Sequence, residues 1–234
     1  MKSEKITLQS RGRPARASWY QDACATAHAL DLLGERWSLL VMRELMFGPK
    51  RFGALRTGLP GISANILTQR LEGLEAAGIL TRRRLPPPAA AQVYELTEWG
   101  QQAEPIFQAL GRWAARSPSH DPNLPFSAAS LLLSLRTMLD PQRAAGFAAR
   151  FALVLEEEVF AGEVAGGAIT LARGPASRPD FTLSGAPPIL AAAIYGGQDL
   201  AGLEASGALR IEGNRALAQR FVTLFPLPQK APRD

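Results

Sequence analysis

The chain has 234 residues, enough for one large domain or two smaller ones that each bury a core. Its 47% hydrophobic and 20% charged content is that of an ordinary globular protein, no apolar run is long enough to cross a bilayer, and one cysteine, Cys24, excludes an intrachain disulfide. The charge is lopsided, with 16 Lys and Arg against 10 Asp and Glu in residues 1–118 but 10 against 11 in residues 119–234. Such a balance points to a polyanion partner for the first half only. Nucleic acid leads, because no basic amphipathic helix supports a membrane surface. The opening MKSEKITLQSRGRPARAS lacks the apolar stretch of a secretory signal, so the expected location is cytoplasmic.

In chain order, residues 1–19 read as a polar, basic tail. Within it Arg11-Gly12-Arg13-Pro14 matches the core of an AT-hook, which inserts into a narrow minor groove. The alternative is a basic arm that adds nonspecific phosphate affinity. Residues 20–33 predict a first helix closed by Gly34, and a second runs from about Glu35 to Phe47 before Gly48-Pro49. RFGALRTGL (51–59) gives a third, and Leu-Pro-Gly (59–61) turns the chain. A fourth helix spans 63–77, with Ser63 as N-cap and Gly78 at its C-terminal end. ILTRRRL and QVYEL form a hairpin around a proline- and alanine-rich loop. Thr97 caps a helix over roughly 98–116, which Pro105 is expected to kink. SPSHDPNLP (117–125) reads as a linker.

The fourth helix carries the functional signal. At 100° per residue, Leu67, Leu71 and Leu74 fall in one arc that must be buried. Opposite lie Asn65, Gln69, Glu72 and Ala76, with Thr68 at the flank. A helix after a tight turn and before a hairpin has the layout of a winged helix-turn-helix, whose second helix offers its N-terminal residues to the major groove. Asn and Gln pair bidentately with adenine, and Thr touches a thymine methyl. Lys50 and Arg51 at the start of the preceding helix, Arg70 at the edge of the buried arc, and Arg82 and Arg84 on one side of the wing are the expected phosphate contacts. Singly, each of these is an ordinary solvated charge. Together with the lopsided charge they predict binding to double-stranded DNA.

Residues 24–116 resemble the HxlR family of bacterial winged helix-turn-helix regulators, through CATAHALDLLGERWSLLVMREL, GPKRFGALRTGLPGISANILTQRLEGLEAAGIL and VYELTEWG. The resemblance implies a homodimeric transcription factor on an inverted-repeat operator. It also implies a dimer interface from the N-terminal helix and the helix after the wing, here Tyr20, Ile106, Leu110 and Trp113. Two departures stand out: Ala follows Cys24 where proline is common, and the wing tip carries three alanines where charges often sit. Some members sense oxidants through a cysteine at the position of Cys24. Against that stands the reading of Cys24 as a small buried hydrophobe. His28, four residues on, makes only a weak metal pair with it, and no metal or cofactor is expected.

Residues 126–228 change character. SLLLSLRTMLD leads into DPQRAAG, FAARFALVLEEEVFAGEVAGGAITLARG reads as two or three strands, and PDFTLSG is another strand. PPILAAAIYGG and DLAGLEASG are helices, ALRIEG a strand and NRALAQRFVTLF a final helix. Strands with helices on one face make an α+β domain. Glu156-Glu157-Glu158 reads as a solvated turn. This half resembles the sterol carrier protein 2-like fold, most clearly from PDFTLSGAPPILAAAIYGG to SGALRIEGNRALAQRFVTLF. The resemblance implies a hydrophobic small molecule in a tunnel walled by Ile189, Leu190, Ile194, Tyr195, Leu203, Phe221 and Phe225, although the same residues make an ordinary core. No nucleophile–base pair or phosphate cradle is present, so catalysis is not indicated.

The expected organisation is a tail (1–19), a winged helix DNA-binding and dimerisation domain (20–116), a linker (117–125), a sterol-carrier-like α+β domain (126–228) and a short tail (229–234). The expected function is DNA-binding transcription regulation, modulated by a hydrophobic ligand in the second domain. The rivals are a regulator whose second domain is only an oligomerisation scaffold, and a lipid carrier whose basic half meets membranes.

Overall fold

The computed structural model describes residues 20–122 and 124–232; the N-terminal tail, with its Arg11–Pro14 stretch, lies outside the described residues. The first half runs α1 (Ala25–Leu33), α2 (Ser38–Leu45), α3 (Phe52–Thr57), α4 (Ala64–Ala76), β1 (Leu80–Arg84), β2 (Gln92–Leu96), α5 (Glu98–Gln101) and α6 (Glu104–Ala115). The expected helices are present but shorter at their ends. α4 begins where the Ser63 side chain accepts from the Ile66 N–H at 3.3 Å, and it buries Leu67, Leu71 and Leu74. The chain leaves it through Gly78 at φ +74°, a left-handed turn that delivers it directly into β1. β1 and β2 pair antiparallel, Leu80 opposite Leu96 and Arg84 opposite Gln92.

The single kinked helix expected over 98–116 is two helices. Thr97 caps the short α5, its hydroxyl accepting from the Gly100 N–H at 3.1 Å. Pro105 then sits in the first turn of α6 rather than in a helix interior. Its missing N–H would be unsatisfied there anyway, so proline starts a new helix more readily than it bends an old one.

The second half comprises α7 (Ala128–Met138), β3 (Ala149–Leu155), β4 (Glu158–Ala165), β5 (Ala168–Arg173), β6 (Phe181–Gly185), α8 (Pro187–Tyr195), α9 (Leu200–Ala205), β7 (Leu209–Gly213) and α10 (Arg215–Phe221). The sheet order is β5-β4-β3-β6-β7, with β3 and β6 parallel and every other pair antiparallel. Phe151 and Phe181 stack with ring centroids 5.6 Å apart and close on Phe221, which meets Phe225 edge-on at 5.0 Å. Gly162 on β4 faces Phe151 so closely that any Cβ there would strike the ring. The missing side chain is what lets this aromatic cluster lie flat on the sheet.

The halves are joined firmly. All of α7 is buried except Ser134 and Arg136, since it packs on α2 and α6 on one side and on α8 and β5 on the other. Arg136 donates to Glu104 of α6 and to the Leu171 carbonyl of β5, both at 2.7 Å, and lies over the Phe47 ring. After α10 the chain runs back to α6. The Ala231 N–H donates to the Arg116 carbonyl at 2.8 Å, and the Lys230 ammonium caps the Ala115 and Ser117 carbonyls at 3.0 Å.

Candidate nucleic-acid interface

The leucines that anchor α4 set its other face outward. Leu67, Leu71 and Leu74 are at most 2% exposed, whereas Ser63, Asn65, Thr68, Gln69 and Glu72 are all exposed. The Ser63 hydroxyl serves as the cap, and the Thr68 hydroxyl donates to the Ala64 carbonyl at 3.0 Å, leaving its methyl on the surface. Asn65 and Gln69 sit one turn apart and make no side-chain hydrogen bond among the described residues. Two amides with unsatisfied donors and acceptors therefore stand side by side on a rigid helix, as bidentate base contact requires.

The cationic contacts expected from sequence separate into two groups. Arg51, the N-cap of α3, and Arg84, at the end of β1, are exposed and have no carboxylate partner among the described residues. Arg56, which also lies on the exposed side of α3, belongs with them. Arg82 is exposed but bonds Glu75 of α4 at 2.8 Å, which raises its pKa, and Arg83 bonds Glu95 across the hairpin at 2.5 Å.

Lys50 and Arg70 are corrections. Lys50 does not begin α3; it forms a bridge with Tyr94 of β2, and its side chain is 7% exposed with Nζ 3.0 Å from Glu44 and 3.8 Å from Glu158. Its positive charge is spent inside the protein. Arg70 is 15% exposed and turns toward Glu35, whose carboxylate lies 2.9 Å from Nη2, while its Nε is buried without a partner. It pins α4 to the segment between α1 and α2 rather than reaching outward. Glu158 corrects the expected acidic turn as well: it opens β4 and bonds Arg173 at 2.5 Å. Each correction has the same cause, a partner distant in sequence that no local pattern reveals.

The residues expected at a dimer interface are bare. Tyr20 is 53% exposed, Ile106 49%, Leu110 44% and Trp113 74%, the last three at helical spacing along α6. Cys24 stands exposed as the N-cap of α1, not buried. The Ala27 and Thr26 backbone N–H groups and the Thr26 hydroxyl at the start of the helix favour its thiolate and lower its pKa. Among the described residues no group of three His, Cys, Asp or Glu side chains is arranged to hold a metal, and no helix is long and apolar enough to cross a membrane.

The expected apolar wall divides too. Leu190, Leu203 and Phe221 are core, and Ile189 packs against it. Ile194 and Phe225 belong to the core too, and with Tyr195 they also edge an open cleft of about 460 Å³ between the α8–α9 segment and α10, together with Arg143, Gln198 and Leu227. Burial drives the Tyr195 phenol above its ordinary pKa, partly opposed by the hydrogen bond to Ser134 at 2.7 Å.

Residues 32–121 match the family model described as HxlR-like helix-turn-helix, and residues 131–226 match that of the SCP-2 sterol transfer family. Over 87 residues the chain is 41% identical to an HTH-type transcriptional regulator of Synechocystis, a match that takes in 37% of this chain and 64% of that protein. Over 86 residues it is 41% identical to the HTH-type transcriptional regulator YodB of Bacillus subtilis, covering 37% of this chain and 77% of YodB. Reduced YodB superposes with a TM-score of 0.38 at 37% identity, over 42% of this chain and 98% of that one. Arg51, Asn65, Gln69 and Arg84 all fall inside the first matched segment, and the Phe151–Phe221 core inside the second. The chain belongs to the HxlR-like helix-turn-helix family and carries, behind that head, a domain of the SCP-2 sterol transfer family.

Proposed function

We propose that the protein is a DNA-binding transcriptional regulator that works as a homodimer on an inverted repeat. The observation that carries this reading is the outward face of α4, where Asn65, Thr68 and Gln69 stand exposed while the leucines behind them are sealed. Arg51 and Arg56 on α3 and Arg84 on the wing, all exposed, are the phosphate contacts of this reading. Regulators with HTH-type names among the relatives support the same reading. The apolar stripe of α6 and Tyr20 supports self-association, which places two copies of α4 about 34 Å apart or a multiple of it, one helical turn of DNA.

The second domain takes a hydrophobic small molecule at the cleft beside Ile194, Tyr195 and Phe225. Occupancy changes DNA affinity only if the ligand prefers one arrangement of the two heads. Cys24, exposed and with a lowered pKa, is the residue on which an oxidant would act.

Selection of duplexes from a random pool, followed by binding titrations, tests the assignment of α4. Gln69→Ala should cost about 1–3 kcal/mol at one base position and relax the preference there. Equal loss on every sequence would make Gln69 a positioning residue and remove α4 as the reading element.

A further inference from the structure

Lys50 does not face DNA, and what it does instead links the second domain to the wing. Its backbone is paired in both directions with Tyr94, N–H to carbonyl at 3.0 and 2.9 Å. Tyr94 in turn lies opposite Arg82 in the hairpin register. Whatever fixes Lys50 therefore fixes β2, and through it the arginine-bearing strand β1.

Two carboxylates fix the Lys50 side chain. Glu44, fully buried on α2, bonds Nζ at 3.0 Å through one carboxylate oxygen. Its other oxygen accepts from Arg43 at 2.9 Å and from Ser127, just ahead of α7, at 2.7 Å. A Cβ on Gly58, at the end of α3, would run into that same carboxylate, so Glu44 also lies under the turn that leads to α4. The second carboxylate comes from the second domain. Glu158 at the start of β4 approaches Nζ at 3.8 Å and is held by Arg173 of β5, whose Nε donates to the Phe47 carbonyl at 3.2 Å. Phe160 meets Phe47 edge-on at 6.4 Å. The segment from Phe47 to Lys50 is thus held on one side by the reading head and on the other by the sheet.

A buried pair of opposite charges adds little net stability over apolar packing, but it fixes one geometry strictly, because any displacement leaves a charge unpaired in a low-dielectric setting. The geometry points to Glu158 and Arg173 as positioning residues for the wing: the second domain completes the ion cluster that sets the root of the hairpin. This rests on the reading of the head as a DNA-binding unit. It further assigns the sheet edge β4–β5, rather than the linker, as the route by which the second domain acts on that head.

The test uses the full chain and the duplex selected by the wild type. Glu158→Gln, Arg173→Met and Lys50→Met are compared alone, with Glu158→Gln also placed in the Lys50→Met background. Glu158→Gln should weaken binding roughly three- to thirtyfold, the range expected for a residue acting through another. The salt slope should stay unchanged, since no phosphate contact is lost, and the added change in the Lys50→Met background should be nil. Amide exchange at Tyr94 should accelerate in Glu158→Gln without any shift in global melting temperature. A drop of about 0.9 in the salt slope for Lys50→Met would make it a phosphate contact and overturn the proposal. So would unchanged exchange at Tyr94 in both Glu158→Gln and Arg173→Met. If the wild type selects no duplex, the regulator reading fails, and the exchange measurement still decides whether the sheet holds the wing.

Discussion

Five phenylalanines of the second domain (Phe151, Phe160, Phe181, Phe221 and Phe225) are at most 1% exposed, whereas Trp113 on α6 of the head is 74% exposed, with Ile106 and Leu110 beside it. Both halves are rich in large apolar side chains, yet only one has closed over them. The sheet and its helices make a unit whose hydrophobic surface is used up internally. The head buries the inner faces of α2, α3, α4 and the wing, and leaves on α6 an apolar stripe that no described residue of its own chain covers. A stripe at helical spacing, in a chain with room elsewhere for its greasy residues, is the signature of a surface finished by another molecule. Charge divides less cleanly, since Arg70, Arg82 and Arg83 of the head are ion-paired while Arg150 and Arg178 of the second domain have no ion pair among the described residues. In the head, Arg51, Arg56 and Arg84 are left unpaired among the described residues, while in the second domain Arg173 pairs with Glu158, Arg210 with Glu212 and Arg215 with Glu204.

The contrast breaks most visibly in the core. Phe221→Ala should cost about 3–5 kcal/mol, the usual loss for an aromatic taken from a packed interior, read as a lower urea midpoint at unchanged m-value. A loss under about 1 kcal/mol would mean the region around α10 is hollow, and the closed half would no longer be closed. Next is the bare stripe. Trp113→Glu should weaken self-association by about 2–4 kcal/mol while leaving the folding of each chain intact, as sedimentation against concentration would show. Dimers that persist at the same concentration would move the partner surface away from α6. The smallest effect sharpens the comparison at Cys24. Because its pKa is lowered, its thiolate is populated at lower pH than that of a free thiol, so the alkylation rate should rise earlier along the pH axis. Thr26→Ala should move the profile partway back up, since the Thr26 hydroxyl is one of the groups holding the thiolate. A profile coincident with that of an unstructured peptide would remove the cysteine from consideration as a sensor.

What was legible in the sequence followed local rules. Ser63 and Thr97 announce helix starts because a cap needs only a side chain and an N–H three residues on. Leu67, Leu71 and Leu74 announce a buried face because helical spacing is fixed by backbone geometry. The alternation in ARFALVL found β3, and the order of the seven strands and ten helices among the described residues followed largely from similar patterns. What failed was the judgement on three particular charges, although Arg51 and Arg84 stand exposed as expected. Lys50, Arg70 and Glu158 look on paper like solvated residues, and each is committed to a partner brought close only by folding: Glu44, Glu35 and Arg173. The signal that would have helped was Glu44 itself, a carboxylate in the middle of the apolar run SLLVMREL, where an acid needs a cation. The wall of the second domain was ambiguous for a different reason. Leu190 and Phe221 have the same apolar character as Ile194 and Phe225, all four are buried, and only packing shows that the last two also border a cleft.

The return of the chain to α6 has a thermal consequence. The second domain departs from the end of that helix, just past Ala115, and comes back to the same turn, where Lys230 and Ala231 grip the Ala115, Arg116 and Ser117 carbonyls. Both of its feet stand on one spot. Heat that frays the last turn of α6 loosens the two attachments together, so the two halves, each with a core of its own, uncouple at that spot in one event rather than one strand at a time.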